Sequence, residues 1–169
     1  MLLVEWSGTL SNFAQVVGAV AVVVTLVYLS AQVKQNTEAI QCTNATTVQI
    51  NFQNLARDLS ADRELSEVIL RAIKDEQDLT RAEKLAAYAW FFGMLKAGEL
   101  AHTLFLRGGL EADYWHGSLA FYRAYWRTPG FRKYWTDRRQ AFTPVFRAAV
   151  DAWMTDSSET VTRTDKLFD

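Results

Sequence analysis

Glu99-Leu100-Ala101-His102 sets a carboxylate and an imidazole three residues apart, which on a helix points both side chains to one face. Di-iron carboxylate bundles take their ligands from two such Glu-x-x-His pairs and two further glutamates. This chain has one pair, and its other histidine, His116, has no Glu three residues before it. A second copy could supply the missing pair. The alternative is a hydrogen-bonded pair inside a helical bundle, and that is the expectation: no metal and no cofactor. No Ser or Cys stands in a nucleophile-elbow pattern, and Gly108-Gly109 is not a phosphate-cradling loop. The chain is therefore expected not to be an enzyme.

A second candidate is a basic stretch interleaved with aromatic rings. Arg123, Arg127, Arg132 and Lys133 precede Arg138, Arg139 and Arg147, with Tyr122, Tyr125, Trp126, Tyr134 and Trp135 between them. Such a surface could meet anionic lipid head groups or stack on RNA. The aromatic positions fall at core spacing, and an acidic region, Asp58 to Asp78, could neutralise the cations within the domain or between copies. A solvated basic face around core aromatics fits better; lipid head-group contact through Arg123, Arg127, Arg132 and Lys133 is kept as the alternative, and nucleic acid is not expected, since the net charge is -1. Cys42 is the sole cysteine, so no disulfide forms within the chain.

These residues have to be positioned by helices, and the chain is organised around one of them. From Trp6 to Val33 no residue is charged, and Phe13–Leu29 reads FAQVVGAVAVVVTLVYL. A hydrocarbon core of about 30 Å requires about 20 apolar residues at helical rise, and lipid forces such a run to be helix. The segmentation expected is a short tail over 1–12, a transmembrane helix over 13–33, a polar helical extension over 34–60, a bundle over 61–155 and a frayed tail over 156–169. Residues 1–12 hold no Lys or Arg, unlike the start of a secretory signal. Lys34 lies just after the run, which places the C-terminal domain in the cytoplasm. The sequon Asn44-Ala45-Thr46 is then a chance match.

Ala14, Gly18, Ala21 and Thr25 share one helical face, where small side chains let another membrane helix approach closely. Beyond them, Gln32–Asn54 is rich in amides and hydroxyls, and its charged residues are Lys34 and Glu38. A solvated lone helix carries more Glu and Lys. Two readings stand: a solvated stalk, or a helix whose polar groups meet other protein. Continued at coiled-coil spacing, the small face passes Gln32, Gln35, Cys42, Thr46 and Gln49.

The rest reads as helices throughout. Arg63–Lys74 is amphipathic. Thr80-Arg81-Ala82-Glu83 is a capping box, opening a helix that ends at Gly108-Gly109 and is apolar enough to be the central one. A further helix spans Glu111–Arg127. Thr128-Pro129 and Thr143-Pro144 each pair an N-cap with the favoured first helical residue. No segment alternates as a strand does. The fold class is all-α: an N-terminal transmembrane helix continuing into a polar helix, then a compact bundle of about five helices.

VVGAVAVVVTLVYLSAQVKQNTEAIQ resembles the opening of a set of uncharacterised bacterial single-pass membrane proteins with a C-terminal helical domain. Lys34-Gln35-Asn36-Thr37 carries most of the likeness. Trp135, Arg138, Phe142, Pro144, Phe146, Val150 and Asp151 resemble the same family's close. The resemblance implies a bacterial inner-membrane protein and brings no catalytic residue with it. The function expected is a membrane-anchored helical interaction module, self-assembling or an accessory subunit of a larger membrane complex. Its partners would be membrane lipid and a second copy or another membrane protein. The alternative is a membrane-tethered sensor or metal-binding domain with its ligand near Glu99 and His102.

Overall fold

In the computed structural model, secondary structure is described for residues 2–155 and side chains for 15–155. The tail over 156–169 and the side chain of Ala14 lie outside the described residues. Those described form six α-helices and no strand. The first, α1, runs Leu2–Ala61 and so already includes most of the stretch read as a tail, 1–12. The chain divides into two compact units, Met1–Ile40 and Gln41–Asp169.

In the first unit α1 is helical from Leu2, and its side chains from Gln15 to Ile40 are exposed. Among the described residues it is the one helix long and apolar enough to cross a membrane, and none of its most apolar window is buried. A Cβ on Gly18 would meet nothing within 4 Å. Thr25 satisfies its hydroxyl within the helix, on the Ala21 carbonyl at 2.8 Å.

The second unit is built from local signals that agree with its packing. Asp62 caps α2 (Arg63–Ile73), its carboxylate accepting from Leu65 N–H at 2.9 Å. The capping box of α3 (Arg81–Leu106) is complete: Glu83 N–H donates to Thr80 Oγ1 at 3.2 Å, and Thr80 N–H donates to Glu83 Oε2 at 2.6 Å. α3 stops where Gly108 takes φ 69°. There the Gly108 and Gly109 amides return to the Phe105 and Leu104 carbonyls at 3.0 and 2.8 Å, a full Schellman closure. α4 (Ala112–Trp126), α5 (Pro129–Arg138) and α6 (Pro144–Thr155) complete the unit. Thr128 precedes α5 without a side-chain cap; its hydroxyl donates to the Tyr125 carbonyl at 2.7 Å instead.

The central helix is α3. Phe91, Met94, Leu95 and Ala101 are at most 1 % exposed. α4 runs antiparallel to it, with Phe105 stacked on Trp115 and Tyr122 Oη donating to the Met94 carbonyl at 3.3 Å. Tyr122 lies so close that a Cβ on Gly98 would stand 2.9 Å from its ring. Trp126 stacks on Trp153 of α6 at 5.0 Å between centroids. Each such ring, once buried, contributes on the order of 2 kcal/mol.

From Gln41 onward, α1 belongs to this unit, although the sequence assigns all of 34–60 to a separate extension. Val48 is 1 % exposed, and Ala45, Phe52, Leu55 and Leu59 pack against the core. Gln41 and Asn44 donate to the carbonyls of Gly108 and Gly109 at 2.9 and 2.8 Å. Part of the amide-rich stretch therefore meets protein, and that protein is the chain's own bundle.

Candidate interaction groove

Between the last turns of α1 and the outer face of α4 lies an open groove of about 900 Å³. The helix directions explain its walls. Asn44 sits at Gly109, just before α4, and Phe52 sits at Phe121, so α1 and α4 run parallel on the same side of α3. Trp115, Leu119, Tyr122 and Trp126 point from α4 into the core, which leaves Tyr114, Gly117, Ser118 and Phe121 to line the groove. The opposite wall is Phe52, Leu55, Ala56, Leu59 and Ser60, and Trp90 of α3 contributes from between the two helices.

The lining is mostly apolar and aromatic, as binding grooves are. Phe52 meets Phe121 edge-on at 5.3 Å, Phe121 meets Tyr125 at 5.2 Å, and Tyr125 meets Trp90 at 5.6 Å. The buried indole nitrogen of Trp90 has no hydrogen-bond partner. Phe121 remains 40 % exposed, and a Cβ on Gly117 would meet open space. The sole charged lining residue is Asp113, at the start of α4. The arrangement offers an apolar surface to bind against.

The residues singled out from sequence fall in several places. Gly18, Ala21, Thr25, Gln32 and Gln35 are exposed on α1 in the first unit; Cys42, Thr46 and Gln49 are exposed on α1 in the second. Of the basic candidates, Lys133 pairs with Asp75 at 2.8 Å, and Arg132 donates to the Trp126 carbonyl at 3.3 Å. Arg123 is half-buried and Arg127 exposed. The acidic stretch is only partly matched to the basic one, because Arg71 gathers Glu76, Asp78 and Glu83 to itself.

Glu99 and His102 are both buried but serve different neighbours. Glu99 Oε2 accepts from Lys96 at 2.7 Å, and Oε1 accepts from the Thr143 amide at 2.6 Å, at the start of α6. Burial pushes the Glu99 carboxyl up, but Lys96 and Thr143 outweigh it and hold the group below the usual carboxylate range. His102 lies among Trp115, Phe146 and Trp153, and burial pushes its pKa down. Glu99 through the Thr143 amide and His102 through the Phe146 and Trp153 rings both join α6 to α3. Among the described residues no three His, Cys, Asp or Glu side chains gather as they would around a metal.

The sequence marks the bundle-covered face of α1, since residues 45, 52 and 59 and residues 41, 48 and 55 recur every seven positions. Of these, Phe52, Leu55 and Leu59 also line the groove, hidden among the exposed apolar residues Val33, Ile40 and Ile50. Comparison with protein-family models, curated proteins and solved structures finds no match.

Proposed function

We propose that this chain is a membrane-anchored, non-enzymatic interaction module. Its N-terminal helix holds it in a bacterial inner membrane, and the helical unit faces the cytoplasm and assembles with a second copy or with a larger membrane complex. The observation that carries the reading is an apolar helix none of whose most apolar window is buried by the rest of the chain. In water so much exposed Val and Leu is unfavourable, by about 25 cal/mol for each Å²; lipid removes that penalty. The resemblance of residues 16–41 to bacterial single-pass proteins supports the same reading, and the open groove is a second surface suited to binding.

Carbonate washing of membranes tests the anchor: the protein should stay in the pellet, and release into the supernatant would refute the reading. Orientation is tested by C-terminal fusions. An alkaline phosphatase fusion should be inactive and a fluorescent-protein fusion bright; the reverse pattern would place the bundle outside. Gly18→Leu should weaken assembly more than Val23→Leu, which lies off the small-residue face.

A further inference from the structure

From Ala39 to Ala56 the chain carries no charged residue, although much of that stretch is exposed. The bundle accounts for one face of the helix, the rows Gln41, Val48, Leu55 and Ala45, Phe52, Leu59. One step round the helix stand Cys42, Gln49, Ala56 and Thr46, Gln53, Ser60, at the same seven-residue spacing and all exposed. A solvated helical face normally bears Glu and Lys. This one bears amides, a thiol and small side chains. Its hydroxyls are already satisfied: Thr46 Oγ1 donates to the Cys42 carbonyl at 2.9 Å, and Ser60 Oγ to the Arg57 carbonyl at 3.1 Å. The row leads directly into the groove, since Ala56 and Ser60 form part of its wall.

We propose that the groove is filled by a second copy of this chain. The two α1 helices lie parallel along the Cys42–Ser60 row, and each seats against the α4 of the other copy. This rests on the interaction-module reading and names its partner. A two-fold interface sets a surface against itself, so a charged row would repel its own copy and an uncharged one does not. Seven-residue spacing is the repeat at which two helices stay in register over several turns. Ala56, Ser60, Gly117 and Ser118 are small enough to let a helix lie along the open side of the groove, over the Phe52–Phe121 contact that joins α1 to α4, and its arrival covers Phe121 and closes the groove. The result is a four-helix layer, α4 and α1 from each copy, with the bundles outside it.

The full-length protein in native membranes supplies the test, because Cys42 lies on the row. Oxidation with copper phenanthroline should link the chain to itself as a disulfide dimer. Gly117→Trp fills the groove from a position where a side chain meets open space. It should lower the linked fraction about tenfold while the bundle stays folded, its thermal melt no lower than that of the native protein. Gln49→Glu should lower it too, and co-expression with a Gln49→Lys copy should restore it as a mixed dimer. Undiminished linking in Gly117→Trp would overturn the groove contact, and failure of Cys42 to link would overturn the dimer. If Cys42 instead captures a different protein while the chain stays in the carbonate pellet, the second-copy inference falls and the module reading stands. If the chain washes off, the module reading falls as well.

Discussion

The side-chain amide of Asn44 donates to the carbonyl of Gly109 at 2.8 Å, joining α1 to the loop that closes α3. Gly109 is tied in turn to Leu104 by its own amide, so the contact bears on a loop already held in place. Asn44→Ala should lower stability by about 1 kcal/mol, read by urea titration of tryptophan fluorescence in detergent. Asn44→Asp should cost more, because it sets a carboxylate against a carbonyl oxygen.

Gly130, at the start of α5, packs against the end of α2 so tightly that a Cβ would lie 1.7 Å from the Ala72 carbonyl oxygen. Backbone cannot give way as a flexible side chain does, so Gly130→Ala forces the two helices apart. The expected loss is about 3 kcal/mol or more. Gly117→Ala is the contrast: its Cβ meets nothing within 4 Å, and removing a mid-helix glycine should stabilise by about 0.5–1 kcal/mol. Thermal melts of the two variants should move in opposite directions.

Glu99 links stability to acid pH. Its folded pKa lies below the unfolded value, so the folded protein binds fewer protons there. The stabilisation is complete above about pH 4.3 and is lost as pH falls through the folded pKa. Glu99→Ala, at neutral pH, removes charge-assisted bonds to Lys96 and to the start of α6 and should cost about 2 kcal/mol. Melts from pH 7 to pH 3 should show the variant with a shallower acid limb than the wild type.

His102 acts in a different window. Its ring is surrounded by Trp115, Phe146 and Trp153, and its folded pKa is lowered by burial. Above about pH 6.5 neither state gains a proton and the stability is complete; below it the unfolded chain takes one up first, and stability falls until the folded pKa is reached. His102→Phe should flatten that part of the profile. Elemental analysis of the purified protein should find iron, manganese and zinc well below one per chain. A stoichiometric metal lost in His102→Ala would restore the sensor reading.

What the sequence alone determined is local or compositional. The Thr80–Glu83 capping box, the glycine stop after α3 and the prolines that begin α5 and α6 each act within one turn of helix, so residue type and spacing suffice to place them. The charge-free run is legible for a similar reason: no arrangement of the remaining chain supplies charges it lacks. Tertiary structure decided whatever joins distant segments. Which face of α1 is covered depended on where Gly108 and Gly109 presented their carbonyls, more than sixty residues away. The partners of Glu99 were set by α6 arriving at Thr143, and the requirement at Gly130 by the end of α2. Lys133 found Asp75 while Arg71 held its acidic neighbours, a choice among many possible ion pairs that composition leaves open. The groove belongs to this second class. It exists because α1 and α4 run parallel on one side of α3, and no segment read by itself carries that fact.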